Sequence, residues 1–268
     1  MDLSFYIYAV LLGIVQGITE WLPISSTGHM IIVSTFLPVT LDKDFLDFFL
    51  VAVQFFSMLA VLILYFDRIN PFIKDKEKRK DVLGTWLKIG VAVLPAGIIG
   101  LCLGDYIEEK LFNVFTVTVA LIVYGILFIV FEKIKKNKNV LSIDTLPLKK
   151  AFFIGCFQSL ALIPGTSRSG ATIFGAKACG MDDKSAAEFS FLLALPTMAG
   201  ASLIKFLKYG FSFSSKEYLF LLVGGTVAFI VSVFSVSFLL KVVKNRGFAP
   251  FGYYRIALGI LLLIINCK

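Results

Sequence analysis

Six stretches of this sequence run almost without charge, at about 47–66, 86–104, 114–131, 188–207, 218–240 and 252–267. About 20 apolar residues is the length that crosses the hydrocarbon core of a bilayer as an α-helix. The composition agrees: 58% of the residues are hydrophobic and 16% charged, against about 45–50% and about 25% in soluble domains. Membrane barrels also carry apolar residues, but their strands alternate with period two, and VALIVYGILFIVF (119–131) does not. The predicted class is an all-α polytopic membrane protein. The opening MDLSFY has no basic region and no small-residue cleavage site, which predicts no cleaved signal peptide.

The net charge is +8, but the lysines and arginines gather in loops beside apolar spans rather than on a nucleic-acid-binding face. Loop 67–85 carries Arg68, Lys74, Lys76, Lys78, Arg79 and Lys80, and loop 132–150 is comparably rich. Two spans separate these loops, so both can lie on the cytoplasmic side by the positive-inside rule, joined by loop 241–251. That orientation places both termini outside. Membrane lipids, not nucleic acid, are the partners this charge implies. The four cysteines, Cys102, Cys156, Cys179 and Cys267, form no CxxC pair and are expected to be buried thiols acting as small hydrophobes.

Two further apolar regions, 5–38 and 150–180, are each broken at the centre, the first at Pro23 and the second at IPGTSRSG (163–170). Each half is too short to cross at about 1.5 Å per residue. The breaks resemble one another: GIVQGITEWLPISSTG (13–28) matches GCFQSLALIPGTSRSG (155–170). Pro23 falls on Pro164 at an offset of 141, which sets Ser25 and Ser26 on Thr166 and Ser167, and Asp47-Phe48 on Glu188-Phe189. One integral membrane domain, 1–268, is therefore read as a duplication, with repeats at about 1–135 and 145–268. If each broken region is a re-entrant helix pair, each repeat crosses three times and the second is inverted. If each crosses fully, the repeats are parallel. Loop charge permits both, and the short halves favour six transmembrane helices, two re-entrant pairs and an inverted topology, with a site near the midplane.

Polar chemistry collects at those breaks. Helix N-termini offer unpaired N–H groups and partial positive charge, which suits phosphate. Around them stand Ser25, Ser26, Thr27 and Gly28 in the first half and Gly165, Thr166, Ser167, Ser169 and Gly170 in the second. Arg168 adds a guanidinium fork that fits phosphate oxygens, or forms a structural pair with Glu20. Glu20 is open to three roles: an interfacial helix end, a metal ligand or a base. Gln16, four residues before it on one helical face, is either a packing hydrogen bonder or a second ligand. His29 is the only histidine. It could be structural, deprotonate a serine, attack phosphorus or protonate a leaving group. No GxxxxGK[ST], HExxH or C-x5-R motif is present.

QGITEWLPISSTGHM and PGTSRSG resemble the two signature motifs of the undecaprenyl-diphosphatase, or bacitracin-resistance, family, and the resemblance spans essentially the whole chain. It implies a bacterial plasma-membrane enzyme that removes one phosphate from a C55 polyprenyl diphosphate, recycling the carrier for peptidoglycan synthesis and conferring bacitracin resistance. It also implies six spans, two re-entrant pairs, a site opening outward and a divalent cation, Mg2+ or Ca2+. The family's acidic motif falls on Gln16 and Glu20, with glutamine at the first position here. Its serine, histidine and arginine fall on Ser26, His29 and Arg168, with Thr27, Thr166, Ser167 and Ser169 around them.

The expected mechanism has Ser26 attacking the terminal phosphorus with His29 as base, or His29 itself attacking. Arg168, the half-helix N-termini and a cation near Glu20 would hold the diphosphate. A lipid-phosphate transporter built on the same inverted repeat is the rival. A homodimer is left open.

Overall fold

The computed structural model describes residues 3–36, 41–133, 140–210 and 212–266. Every regular element in it is helical apart from one isolated bridge between Leu141 and Met181. The first half runs α1 (Leu3–Thr19), α2 (Ser26–Phe36), α3 (Lys43–Leu64), a short α4 (Phe66–Ile69), α5 (Lys76–Leu111) and α6 (Val114–Lys133). The second runs α7 (Leu148–Ser159), a 3-10 turn at Leu160–Leu162, α8 (Arg168–Ala178), α9 (Asp183–Tyr209), α10 (Ser215–Arg246) and α11 (Ala249–Asn266). Among the described residues, five helices are long and apolar enough to cross a membrane: α3, α5, α6, α9 and α10. The sixth predicted span falls on α11, which is apolar but shorter by that measure. The chain is an all-α polytopic membrane protein.

The long helices begin where a polar side chain can satisfy the free N–H groups of a first turn. Asp42 accepts from the backbone of Asp44 and Phe45, Asp75 from Glu77 and Lys78, and Asp182 from Ser185. Ser214 and Glu217 cap α10 reciprocally. Between those caps α1 and α10 meet at small residues. A Cβ on Gly17 would lie 2.7 Å from the Ala228 carbonyl oxygen, so α1 and α10 approach backbone to backbone.

The two ends of the bundle differ in chemistry. At one, Arg68 reaches Asp144 at 3.6 Å, Lys88 donates to the Ile143 carbonyl at 2.8 Å, and Lys177 meets Glu132 and Asp183. At the other, aromatic rings interlock: Phe45 lies 5.3 Å from Phe213 and 5.8 Å from Phe220, and Phe5 lies 4.7 Å from Phe220, centroid to centroid. The largest buried cluster surrounds α9, where Phe189, Phe191, Leu192 and Leu193 are fully enclosed.

The cysteines correct one expectation. Cys102, Cys156 and Cys179 are free, as the spacing suggested, but Cys102 and Cys156 are exposed on the helical surface and not buried inside the protein. Lipid tails are as apolar as a protein interior, so a thiol on a membrane span gains nothing by turning inward. Cys267 lies outside the described residues.

Helix contact at glycine gives a first prediction. A Cβ on Gly155 of α7 would collide with the Ala92 carbonyl of α5, whereas one on Gly104 of α5 meets nothing within 4 Å. Gly155→Ala should lower the thermal midpoint in detergent by several degrees. Gly104→Ala should leave it unchanged or raise it, as helical Gly→Ala changes do by about 0.4–1 kcal/mol where space allows. Nanoscale differential scanning fluorimetry of the two variants checks the contrast.

Candidate active site

Each broken region turns on a serine in an unusual conformation. Ser25 has φ +72° and Ser167 φ +71°, and no other non-glycine residue described has positive φ. Side chains rarely adopt this left-handed region, and it costs about 1–3 kcal/mol, so it persists where the surroundings enforce it. Both serines cap the helix that follows: the Gly28 N–H donates to Ser25 Oγ at 3.4 Å and the Gly170 N–H to Ser167 Oγ at 3.2 Å. The shared geometry corrects the sequence register by one. Ser25 corresponds to Ser167, not to Thr166, at an offset of 142, the offset that also relates Gln16 to Gln158 and Gly28 to Gly170. The prolines misled because Pro23 stands two residues before its cap and Pro164 three before its own. On this register Ser26 and Arg168 hold the same position, first residue of a half-helix, in opposite halves.

The two turns meet around a polar cavity of about 170 Å³. It is lined by Glu20, Ser25, Ser26 and Thr27 from the first half and Ala161, Pro164, Gly165, Ser167 and Arg168 from the second, with Gln54 of α3 beside them. Glu20, 7% exposed, is its centre. One carboxylate oxygen takes Arg168 Nη2 at 3.0 Å, and the other takes Gln16 Nε2 at 2.8 Å and Ser26 Oγ at 3.3 Å. Arg168 is fixed from three further sides. It donates to the Ser190 carbonyl at 3.0 Å, approaches Met198 Sδ at 3.6 Å and lies over the Trp21 ring at 5.5 Å. Trp21 is buried and donates to Ser57 Oγ at 3.2 Å. The guanidinium is thus aimed before any ligand arrives, which is what preorganised charge stabilisation requires.

Both readings of Arg168 therefore meet in one place: it pairs with Glu20 and it lines the cavity. His29 stands apart. Its Nδ1 lies 2.8 Å from the Ser25 carbonyl oxygen and its Nε2 2.7 Å from the Tyr254 hydroxyl, and it is not among the lining residues. The side chain bonded to Ser26 is Glu20. Of the remaining predicted binding residues, Thr166 and Ser169 are buried behind the cavity wall. Ser169 Oγ donates to the Glu20 or the Leu22 carbonyl, at 3.3 and 3.2 Å. Gly28 and Gly170 pack under it, against Leu121 and Ser167 respectively. Gly165, at φ +90°, sits so close to the Val117 backbone that no Cβ would fit.

Sequence reasoning passed over Arg255. It is fully buried on α11. It donates to the Pro23 carbonyl at 3.2 Å, the Gly165 carbonyl at 2.9 Å and the Ala120 carbonyl at 3.3 Å, with Tyr124 facing its guanidinium at 5.6 Å. Pro23 and Gly165 belong to the two breaks, so one side chain ties them together. Among the described residues no carboxylate lies within ion-pair reach of it. Two guanidiniums and one carboxylate leave the site with a net positive charge, which favours an anionic guest. The signal was present: an arginine inside the apolar stretch 252–267 is expensive and reads as functional by default. Gln54 was missed on the same grounds, as a polar residue inside the span 47–66.

Among the described residues no group of three or more histidine, cysteine, aspartate or glutamate side chains converges on one point. The cavity offers hard oxygen donors, with Glu20 as its carboxylate and Ser26 beside it. That suits a magnesium- or calcium-like ion only if ligand oxygens complete the shell.

Residues 9–261 match the family model for bacitracin resistance protein BacA. The chain is 51% identical over 257 residues to undecaprenyl-diphosphatase 1 of Clostridioides difficile, covering 95% of this chain and 94% of that one. It is 48% identical over 262 residues to the undecaprenyl-diphosphatase of Acetivibrio thermocellus, covering 96% of each. It is also 48% identical over 264 residues to that of Enterococcus faecalis, covering 95% of each.

Proposed function

The chain belongs to the bacitracin resistance family BacA, and we propose on that basis that it is a membrane hydrolase. It removes the terminal phosphate of undecaprenyl diphosphate and returns the monophosphate carrier to cell-wall synthesis. The observation that carries the chemistry is the shared carboxylate: Glu20 holds Arg168 with one oxygen and Ser26 with the other, at the wall of a polar cavity.

In the resting site Arg168 holds the Glu20 charge. A diphosphate entering the cavity competes for that guanidinium with more negative charge and more acceptor oxygens, and it draws Arg168 toward itself. Glu20 is then left beside Ser26 as a carboxylate with a proton to accept. Ser26 Oγ attacks the terminal phosphorus, its proton passes to Glu20, and the bond from that phosphorus to the bridging oxygen breaks. Glu20 hands that proton to the departing undecaprenyl monophosphate; water then attacks the phosphoserine, its proton passes to Glu20 and on to Ser26 Oγ, and phosphate leaves with the hydroxyl restored. A divalent cation held by Glu20, with Gln16 as second ligand, would neutralise charge on the diphosphate oxygens. Positioning and charge stabilisation dominate phosphoryl transfer generally, and the preset Arg168 and the two capped half-helices supply both.

Ser26→Ala and Glu20→Gln should each lower turnover by about 10²–10⁴-fold, the span of general acid–base and nucleophilic contributions. The assay is inorganic phosphate released from undecaprenyl diphosphate by purified protein, with and without a chelator. A phospho-enzyme trapped on His29 instead of Ser26 would overturn the assignment of the attacking atom. Movement of lipid phosphate across vesicles without phosphate release would favour the transporter.

The same reading places six helices across the bacterial plasma membrane with the two broken regions as re-entrant pairs. Three contacts support it. Phe5 at the start of α1 packs at the aromatic end of the bundle, and Ile32 of α2 packs near Val114, where α6 begins. The Lys150 ammonium of α7 instead donates to the Cys179 carbonyl after α8, at the charged end. Each broken pair thus leaves and returns at one end, and the two use opposite ends, as an inverted repeat requires. With the lysine-rich end cytoplasmic, the termini lie outside and the cavity opens outward.

A further inference from the structure

The contact between His29 and Tyr254 has no part in the reaction above, yet it fixes the residue on which the first break turns. The Ser25 carbonyl can only accept, so the Nδ1 of His29, 2.8 Å away, carries a proton. In the neutral imidazole Nε2 is then an acceptor, and the Tyr254 hydroxyl at 2.7 Å donates to it. The two rings are parallel to within 4°, with centroids 5.5 Å apart. The His29 backbone N–H also reaches the Ser25 carbonyl, at 3.4 Å. That carbonyl belongs to the peptide unit joining Ser25 to Ser26, and Ser25 is held at φ +72°. Whatever fixes this oxygen fixes the entry of Ser26 into α2. Tyr254 adjoins Arg255, which grips the Pro23 carbonyl two residues before Ser25. Consecutive residues of α11 therefore hold the strained turn at both ends.

We propose that Tyr254 is a positioning residue for the hydrolysis: through its hydrogen bond it holds His29 as the Nδ1–H tautomer, and His29 in turn locks the Ser25–Ser26 peptide so that Ser26 Oγ faces Glu20. The inference rests on the reading of Ser26 as the attacking residue. It assigns His29 a role in orientation. Tyr254 acts from outside the cavity, and Tyr254→Phe retains the ring and loses only the donor. Small misplacements of a reacting group cost up to about 10²-fold, so turnover should fall by about 10- to 100-fold while KM for the lipid diphosphate stays within about twofold.

A single imidazole makes the contact directly observable, because histidine labelled with nitrogen-15 gives the spectrum of one side chain. In wild-type protein the spectrum should show a neutral ring protonated at Nδ1, with Nε2 as hydrogen-bond acceptor. In Tyr254→Phe the Nε2 resonance should move toward its unbonded position or average between tautomers. Turnover losses of Tyr254→Phe and His29→Ala should not multiply in the double variant, since both act along one chain of contacts. The proposal is overturned if the imidazole spectrum of Tyr254→Phe matches wild type, if its turnover is unchanged, or if the two losses multiply. A wild-type protein that releases no phosphate would instead defeat the hydrolase reading, while the nitrogen spectra would still decide whether Tyr254 sets the tautomer of His29.

Discussion

Replacing Arg168 with alanine should reduce phosphate release by at least about 10²–10³-fold, the loss seen when one preorganised donor to a developing oxyanion is removed. The geometry gives the reason for so large an effect. Arg168 is held by the Ser190 carbonyl, Met198 and the face of Trp21, so its fork already stands at the cavity wall and a diphosphate has only to displace Glu20 from its second terminal nitrogen. Lysine cannot hold the Ser190 carbonyl and a phosphate oxygen from one rigid fork, so Arg168→Lys should recover little. The change also leaves Glu20 buried without its cation, and an uncompensated buried charge costs about 3–5 kcal/mol. Gln16 and Ser26 remain bonded to that carboxylate and soften the penalty. The double variant Arg168→Ala/Glu20→Gln separates the two effects: it should regain thermal stability and stay inactive. An Arg168→Ala protein that is folded and turns over near the wild-type rate would remove Arg168 from the reaction.

Much of this site can be read from the chain without coordinates, and the reason is physical. Hydroxyls, a carboxylate and a guanidinium are costly in a membrane, so their gathering at two breaks in apolar runs marks a place that must be satisfied by structure or ligand. That logic located Glu20, Ser25, Ser26, Thr27, Ser167 and Arg168, all on the cavity wall. It did not distinguish residues that face the cavity from those that build its backing. Ser169 turns its hydroxyl to backbone carbonyls and Gly170 packs under a cap, yet both look the same as their neighbours in a string of small polar residues. The repeat register slipped by one at the turns because proline, the most visible marker, is not the residue that caps the following half-helix. The serine with positive φ is, and nothing in a serine's identity announces that. His29 was placed near Ser26 by sequence spacing alone. Its imidazole direction depends on Tyr254, 225 residues away in the chain, and no local pattern carries that pairing.

Arg255→Leu should cost about 3–5 kcal/mol of stability, lowering the thermal midpoint by roughly 10 °C. Leucine is shorter and offers no donor, so the Pro23, Gly165 and Ala120 carbonyls all lose a charged partner at once. These carbonyls face a fully buried side chain and cannot turn to water, and each unpaired one carries a penalty of about 1–3 kcal/mol. Two of the three belong to opposite breaks, so the loss is not local: the turns would be free to separate, and Glu20 and Arg168 would part with them. Arg255→Lys distinguishes charge from geometry. An ammonium keeps the positive charge behind the site but cannot span three carbonyls with a planar fork. It should fall between wild type and leucine in stability, and should keep more diphosphate affinity than leucine when both are assayed below their midpoints. Should Arg255→Leu melt with wild type, the two breaks are held together by packing alone. The buried guanidinium would then serve only to supply positive charge, which the diphosphate KM of the same two variants would register.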